Sequence, residues 1–174
     1  MKKWIILFLS ATLMLSACGK SEEKASLEKS VDKLEKENKS LKAQKKKLTK
    51  QKDDLKDQQD KLQKALMDAL AAGEAMLKPG VKGREVHGAI IDELRIEGFA
   101  DGFGHHAGHG LGLSHPEAPY FVPNSDEELR MGDVVTLEPG SYSVDKGYGA
   151  RIEHNYLITE YGYEQLSHHL LPFA

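Results

Sequence analysis

Leucine recurs every seventh residue at Leu27, Leu34, Leu41, Leu48, Leu55 and Leu62. Taken as heptad position d, these leucines place Val31, Asn38, Lys45, Lys52, Gln59 and Leu66 at position a. Leu at every d with an Asn at one a favours a parallel two-stranded coiled coil over residues 27–66, and Glu37 at g would face Lys42 at e of the partner. Lys45, Lys52 and Gln59 set polar heads near the axis, so a single solvated helix remains the alternative. At helical rise the repeat spans about 50 Å, a spacer's length. No Pro or Gly occurs from Lys20 to Ala72. The helix is therefore expected to run on into a domain over residues 61–174, where Leu62, Leu66, Leu70 and Met76 change from seam to core. Gly73 is the first stop signal and Lys78-Pro79-Gly80 the firm one.

Beyond that stop the periodicity changes. Val86, Ile90 and Leu94 fall four apart, which predicts a helix from Arg84 to Glu97 closed by Gly98. Val134-Val135-Thr136-Leu137 follows a Gly-Asp turn and reads as a strand, as does Tyr156-Leu157-Ile158-Thr159; a last short strand ends near Ser167. Helices followed by strands predict an α+β domain. Between them lies Gly104–Glu153, rich in Gly, His and Glu. Its glycines argue against a plain helix and for backbone that approaches something closely.

Charge divides the chain at the same place. Residues 20–66 carry 15 Lys against 10 Asp and Glu, a net of +5, whereas residues 67–174 carry 7 Lys and Arg against 17 Asp and Glu, a net of −10. All 8 His lie in the second part. Asp53, Asp54, Asp57 and Asp60 follow Lys45-Lys46-Lys47, which makes a solvated helix rather than a nucleic-acid-binding surface.

The N-terminus has a different character. Lys2 and Lys3 precede an apolar run from Trp4 to Leu15 that is too short to span a bilayer comfortably. It ends in Leu15-Ser16-Ala17-Cys18-Gly19, with the chain's single Cys. This pattern describes an export signal over residues 1–17 and resembles the lipobox of bacterial lipoproteins. The resemblance implies cleavage before Cys18, acylation of that residue, and a short linker over residues 18–26. It places the protein on the extracytoplasmic face of a bacterial cell membrane, held by lipid on Cys18.

Strand period also orients the candidate chemistry. In an extended segment Thr136 and Glu138 share one face and Val135 and Leu137 the other; Arg151 and Glu153 share a face opposite Ile152 and His154. Glu138 and Glu153 are thereby expected to point toward a common centre. With one imidazole they would make a first shell for a divalent transition metal, the alternative being solvated or ion-paired carboxylates.

The segments Leu77-Lys78-Pro79-Gly80-Val81, Gly108-His109-Gly110-Leu111-Gly112-Leu113, Glu117-Ala118-Pro119, Met131 through Gly140 and Arg151-Ile152-Glu153 occur in an order that resembles the pita-bread metallopeptidases. That family includes Xaa-Pro aminopeptidase, prolidase, methionine aminopeptidase and creatinase. The resemblance implies that residues 61–174 form the C-terminal half of a pita-bread fold. It implies His109, Glu138 and Glu153 as metal ligands, His105 as a residue bordering the substrate, and Mn²⁺, Co²⁺ or Zn²⁺ as cofactor; His115, one residue short of a further expected His, is a second catalytic candidate to position substrate or shuttle a proton. Two Asp ligands of the family have no counterpart here, Pro116 stands where a further His is expected, and His154 follows Glu153 in place of Asp. One ion is therefore expected rather than two. Three readings follow: a lipid-anchored hydrolase of peptides or small amides, an inactive coiled-coil binding or structural module, and a truncated gene product.

Overall fold

The structure, a computed structural model, describes residues 2–168, and side chains from residue 21 onward. The Cys18 side chain expected to carry lipid lies outside those described. The chain forms two units, residues 1–54 and 55–174. Helix α1, Lys2–Glu74, contributes to both. Among the described residues no helix is long and apolar enough to cross a membrane.

In the first unit every described side chain is exposed. The heptad leucines are no exception, with Leu27 at 61% and Leu48 at 64% exposure. Lys, Glu and Leu dominate its described side chains, all strong helix formers, and no Gly or Pro falls between Lys20 and Asp54. An ion pair such as Lys24–Glu28, at 3.8 Å between exposed side chains, adds little.

In the second unit the same helix turns amphipathic. Leu62, Ala65, Leu66, Ala69 and Leu70 are buried, spaced three and four apart as one helical face requires. Leu62, Leu66 and Leu70 thus pack in the core, with Met76 partly buried against it. The helix ends one residue past Gly73 and leads into a turn at Gly80, whose φ of +86° suits only glycine without strain. Helix α2, Gly83–Ile96, lies within a residue of its expected limits and buries Val86, Ile90 and Leu94. The Glu85 carboxylate accepts a hydrogen bond from the Lys82 backbone N–H at 2.8 Å, satisfying a donor at the helix entry. A short 3₁₀ turn, Ala100–Gly102, follows.

Among the described residues seven strands come next: β1 Gly108–Gly110, β2 Glu117–Tyr120, β3 Val134–Leu137, β4 Gly140–Ser143, β5 Tyr148–Arg151, β6 His154–Ile158 and β7 Tyr163–Gln165. Five form one antiparallel sheet in the order β2-β1-β3-β6-β7, while β4 and β5 form a separate hairpin. Val135 and Leu137 of β3 and Tyr156 and Ile158 of β6 share the core with both helices. Helix and sheet approach closely: a Cβ on Gly73 would sit 2.8 Å from Ile90 Cδ1 and 3.1 Å from Leu137 Cδ1. The Tyr156 hydroxyl donates to Glu74 Oε1 at 2.7 Å, tying the end of α1 to the sheet.

Candidate metal centre

The site is built by strand register. β1 pairs with β3 so that Gly108 lies opposite Leu137 and His109 opposite Thr136. Just past β3 the pairing continues, with the Glu138 backbone N–H donating to the Ala107 carbonyl at 2.9 Å. This brings residues 106–109 beside Glu138. The fit demands glycine at 108, where a Cβ would lie 2.0 Å from the Thr136 carbonyl oxygen.

His109 and Glu138 are buried, at 2% and 3% exposure. His109 Nδ1 lies 2.8 Å from the Gly110 carbonyl oxygen, an acceptor, which assigns the proton to Nδ1 and leaves a lone pair on Nε2. That nitrogen lies 3.5 Å from Glu138 Oε1. Arg151 Nη1 is 3.2 Å from the other carboxylate oxygen, Oε2, and balances part of its charge. His106 approaches the same oxygen as His109, its Nδ1 2.7 Å from Glu138 Oε1. Despite that distance the two atoms are not aligned for a hydrogen bond, and both are buried without another partner. Burial holds the His106 imidazole below the usual histidine range, against the opposing pull of Glu138.

His106, His109 and Glu138 therefore converge, with one potential ligand atom from each within 4.8 Å of the others. Buried electron-pair donors facing one another without a shared proton are unfavourable unless a cation joins them. The donor set of two imidazoles and one carboxylate fits a divalent transition metal.

The remaining expected residues take other places. Glu153 is half-buried between β5 and β6, outside this group. There the chain crosses from hairpin to sheet, with the Ile152 N–H donating to the Pro139 carbonyl at 3.1 Å. His105 is half-buried; its Nδ1 lies 2.7 Å from the His106 carbonyl and its buried Nε2 has no partner. Phe103 and Tyr142 flank its ring at 4.9 and 6.0 Å between centroids. His115 is exposed and stands edge-on to His109 at 4.8 Å. His154 is buried against Tyr156, with its Nδ1 3.1 Å from Gln165 Nε2. His106 escaped the sequence reading, although its place three residues before His109 was visible. A second carboxylate group, Asp68, Glu93 and Glu97, has Lys64 paired to Asp68 and Glu97, an ordinary surface ion cluster.

Two helices share a core with an antiparallel sheet, and two histidines meet a buried glutamate beside β1 and β3. Residues 49–160 match the model of metallopeptidase family M24, and the chain belongs to that family. It is 41% identical over 105 residues to the uncharacterized peptidase YqhT of Bacillus subtilis strain 168, covering 60% of this chain and 30% of that protein. It is 42% identical over 92 residues to the probable dipeptidase PepE of Mycobacterium bovis, covering 53% of this chain and 24% of the relative. Among solved structures, the prolidase from Pyrococcus furiosus superposes with a TM-score of 0.63 at 32% identity, covering 66% of this chain and 34% of that one. The X-Pro aminopeptidase from Thermotoga maritima MSB8 gives 0.61 at 31%, covering 68% and 33%. The fold is thus α+β of the pita-bread type, and the chain spans about a third or less of the length of these relatives.

Proposed function

We propose that this chain is a lipid-anchored, metal-dependent hydrolase of the Xaa-Pro dipeptidase and aminopeptidase type, working with a single divalent ion. The observation that carries this reading is the pairing of His109 Nε2 with Glu138 Oε1 at 3.5 Å, both side chains buried, in a domain of family M24. A bound ion in such a site lowers the pKa of its water and polarises the scissile carbonyl. The chain's own residues supply the setting. The hydrogen bond to the Gly110 carbonyl fixes the His109 tautomer, and Arg151 steadies Glu138. The buried, unpartnered Nε2 of His105, whose ring neighbours Phe103 and Tyr142, supports a role in holding a peptide's polar end. His115, exposed with its ring 4.8 Å from that of His109, would give a leaving amine its proton.

Cys18, following the apolar run Trp4–Leu15, supports attachment to the extracytoplasmic face of a bacterial membrane. The leucine stripe from Leu27 to Leu55, left exposed by the chain's own fold, supports a parallel homodimer. A peptide-binding module without turnover is the second reading. It is favoured by the small donor set, three side chains of which His106 is one-third exposed.

Metal analysis of the purified chain, with an Xaa-Pro dipeptide assay in Mn²⁺, Co²⁺ or Zn²⁺, tests the hydrolase. About one ion per chain and turnover lost in Glu138→Gln are expected. Bound metal and bound peptide without turnover would replace the hydrolase by the binding module. Cys18→Ala should move the protein out of the membrane fraction; unchanged fractionation would refute the lipid anchor.

A further inference from the structure

We infer that the groove between α1 and the β4–β5 hairpin is the end socket of the dimer seam, and that it receives Gln59 of a second copy of this chain. The inference rests on the parallel homodimer read above and adds where the seam ends and what closes it.

The groove lies wholly within the second unit and has a volume of about 330 Å³. A water takes about 30 Å³ of the liquid, so the space admits a long side chain rather than a lone solvent molecule. Helix α1 supplies one side of it with Leu55, Gln58, Gln59 and Leu62, and the hairpin supplies the other with Tyr148 and Ala150. The heptad explains the helix side. With leucine at d, Leu55 is d, Gln58 is g, Gln59 is a and Leu62 is the next d. In a two-stranded coiled coil each a side chain enters a hole formed by four residues of the facing helix, at d, g, a and the next d. For Gln59 of an in-register second copy those four are Leu55, Gln58, Gln59 and Leu62. The groove is that hole, with a wall added by the domain. Tyr148 in the wall is fixed by Phe99, edge-on at 5.5 Å between ring centroids.

Continuity and charge single out a second copy as the occupant. Leu55 is exposed, as are the d leucines before it, whereas Leu62 and the next a residue, Leu66, are buried by the chain's own core. A partner helix can therefore follow the seam as far as Gln59, itself exposed, and no further. Among the described residues no charged side chain lines the groove. A second copy in register presents a neutral amide there. A slip of one heptad would bring up Lys52, whose ammonium an uncharged socket disfavours, or Leu66, which is buried in its own domain. The socket thus fixes the register that Lys45 and Lys52, alike in charge, leave open. Two-fold symmetry makes the fit reciprocal, each Gln59 entering the other chain's groove. The strand β5 also joins the end of the seam to the candidate metal centre, since Arg151, next after Ala150, reaches Glu138 Oε2 at 3.2 Å.

The test uses the full chain in detergent. Sedimentation equilibrium gives the dimer Kd, and backbone hydrogen exchange of the Tyr148–Ala150 segment is followed below and above it. That segment should exchange more slowly in the dimer than in the monomer. A double-mutant cycle then pairs Gln59→Leu with Tyr148→Ala, each melted to verify folding. Their effects on Kd should depart from additivity by about 2- to 150-fold, the range for side chains in contact. Should Tyr148→Ala not fold, exchange in the wild-type chain decides alone. Hairpin exchange that ignores protein concentration, or additive substitutions, in a chain whose association still weakens in Leu48→Ala would overturn the socket and leave the homodimer standing. Protection already complete in the monomer would assign the groove to a different occupant and overturn the socket likewise. A chain that stays monomeric at every concentration would overturn both.

Discussion

Leu48 and Leu62 occupy the same heptad position, yet Leu48 is 64% exposed and Leu62 only 3%. Replacing each by Ala therefore perturbs a different equilibrium. Leu62 packs in the core with Ala65, Leu66 and Ala69, and it borders a groove that Leu55, Gln59, Tyr148 and Ala150 also line. Truncating a buried leucine costs about 2–5 kcal/mol, and the low end applies where neighbours can relax into the space. The open groove places Leu62→Ala at about 2–3 kcal/mol. For a folding unit of this size each kcal/mol lowers Tm by about 4 °C, so a fall of about 8–12 °C is expected, independent of protein concentration. Leu48→Ala loses no burial within its own chain and should stay within about 0.5 kcal/mol of wild type for the isolated chain. In a two-stranded seam, however, each fully buried leucine contributes about 1.5–3 kcal/mol. Removing one from each strand would weaken association by about 3–6 kcal/mol, or two to four powers of ten in Kd. Circular dichroism melts over a range of concentrations measure the first effect, and sedimentation equilibrium measures the second. A Leu62→Ala chain melting at the wild-type temperature would refute the core assignment. A Leu48→Ala chain with unchanged Kd would refute the seam.

Three further outcomes are expected. Gly108→Ala drives a Cβ to 2.0 Å from the Thr136 carbonyl and 2.6 Å from Phe121 Cδ2, and should cost at least about 1–3 kcal/mol in denaturant unfolding; Gly88→Ala, with open space around it in α2, should instead stabilise by up to about 1 kcal/mol. Burial on α2 lowers the His87 imidazole below 6.5, against the opposing charge of Asp92. The unfolded chain then binds more protons near that pH, so the contribution of His87 is full above the unfolded value and is lost as pH falls below it. Unfolding free energy should drop on acidification from about pH 7 to about pH 5, and His87→Gln should flatten that slope; an unchanged slope would contradict the assignment. Tyr156→Phe removes the hydroxyl that donates to Glu74 and should cost about 1.5–3 kcal/mol, the range for a hydrogen bond to a charged group, measured by urea titration.

Much of this protein was legible before any tertiary structure. The helical continuity through Ala72, the stop after Gly73, α2 to within a residue, and β3 with Val135 and Leu137 facing the core all follow from local propensity and period. Such signals are local, set by residues a few positions apart. The family was legible as well, because several short segments recur in a fixed order. The strands β1, β2, β4 and β5 were not, since stretches of three or four residues such as Gly-His-Gly and Gly-Ser-Tyr-Ser are too short and too poor in apolar residues to carry a period.

The heptad continues unbroken to Leu62, and nothing in its period tells where leucine stops being exposed. That change was decided by the sheet and α2, which cover α1 from Leu62 onward and leave Leu55 at 57% exposure. The site shows the same division. The sequence alone could name His109 and Glu138, and strand period could turn Glu138 from the core. The partnership of His106 with Glu138 required the β1–β3 register, which brings together residues 32 positions apart by backbone hydrogen bonds such as Glu138 N–H to Ala107. Glu153 lies where β5 has stopped at Arg151 and the chain crosses to β6. Period is a property of neighbours along the chain, and a metal site is a property of neighbours in space.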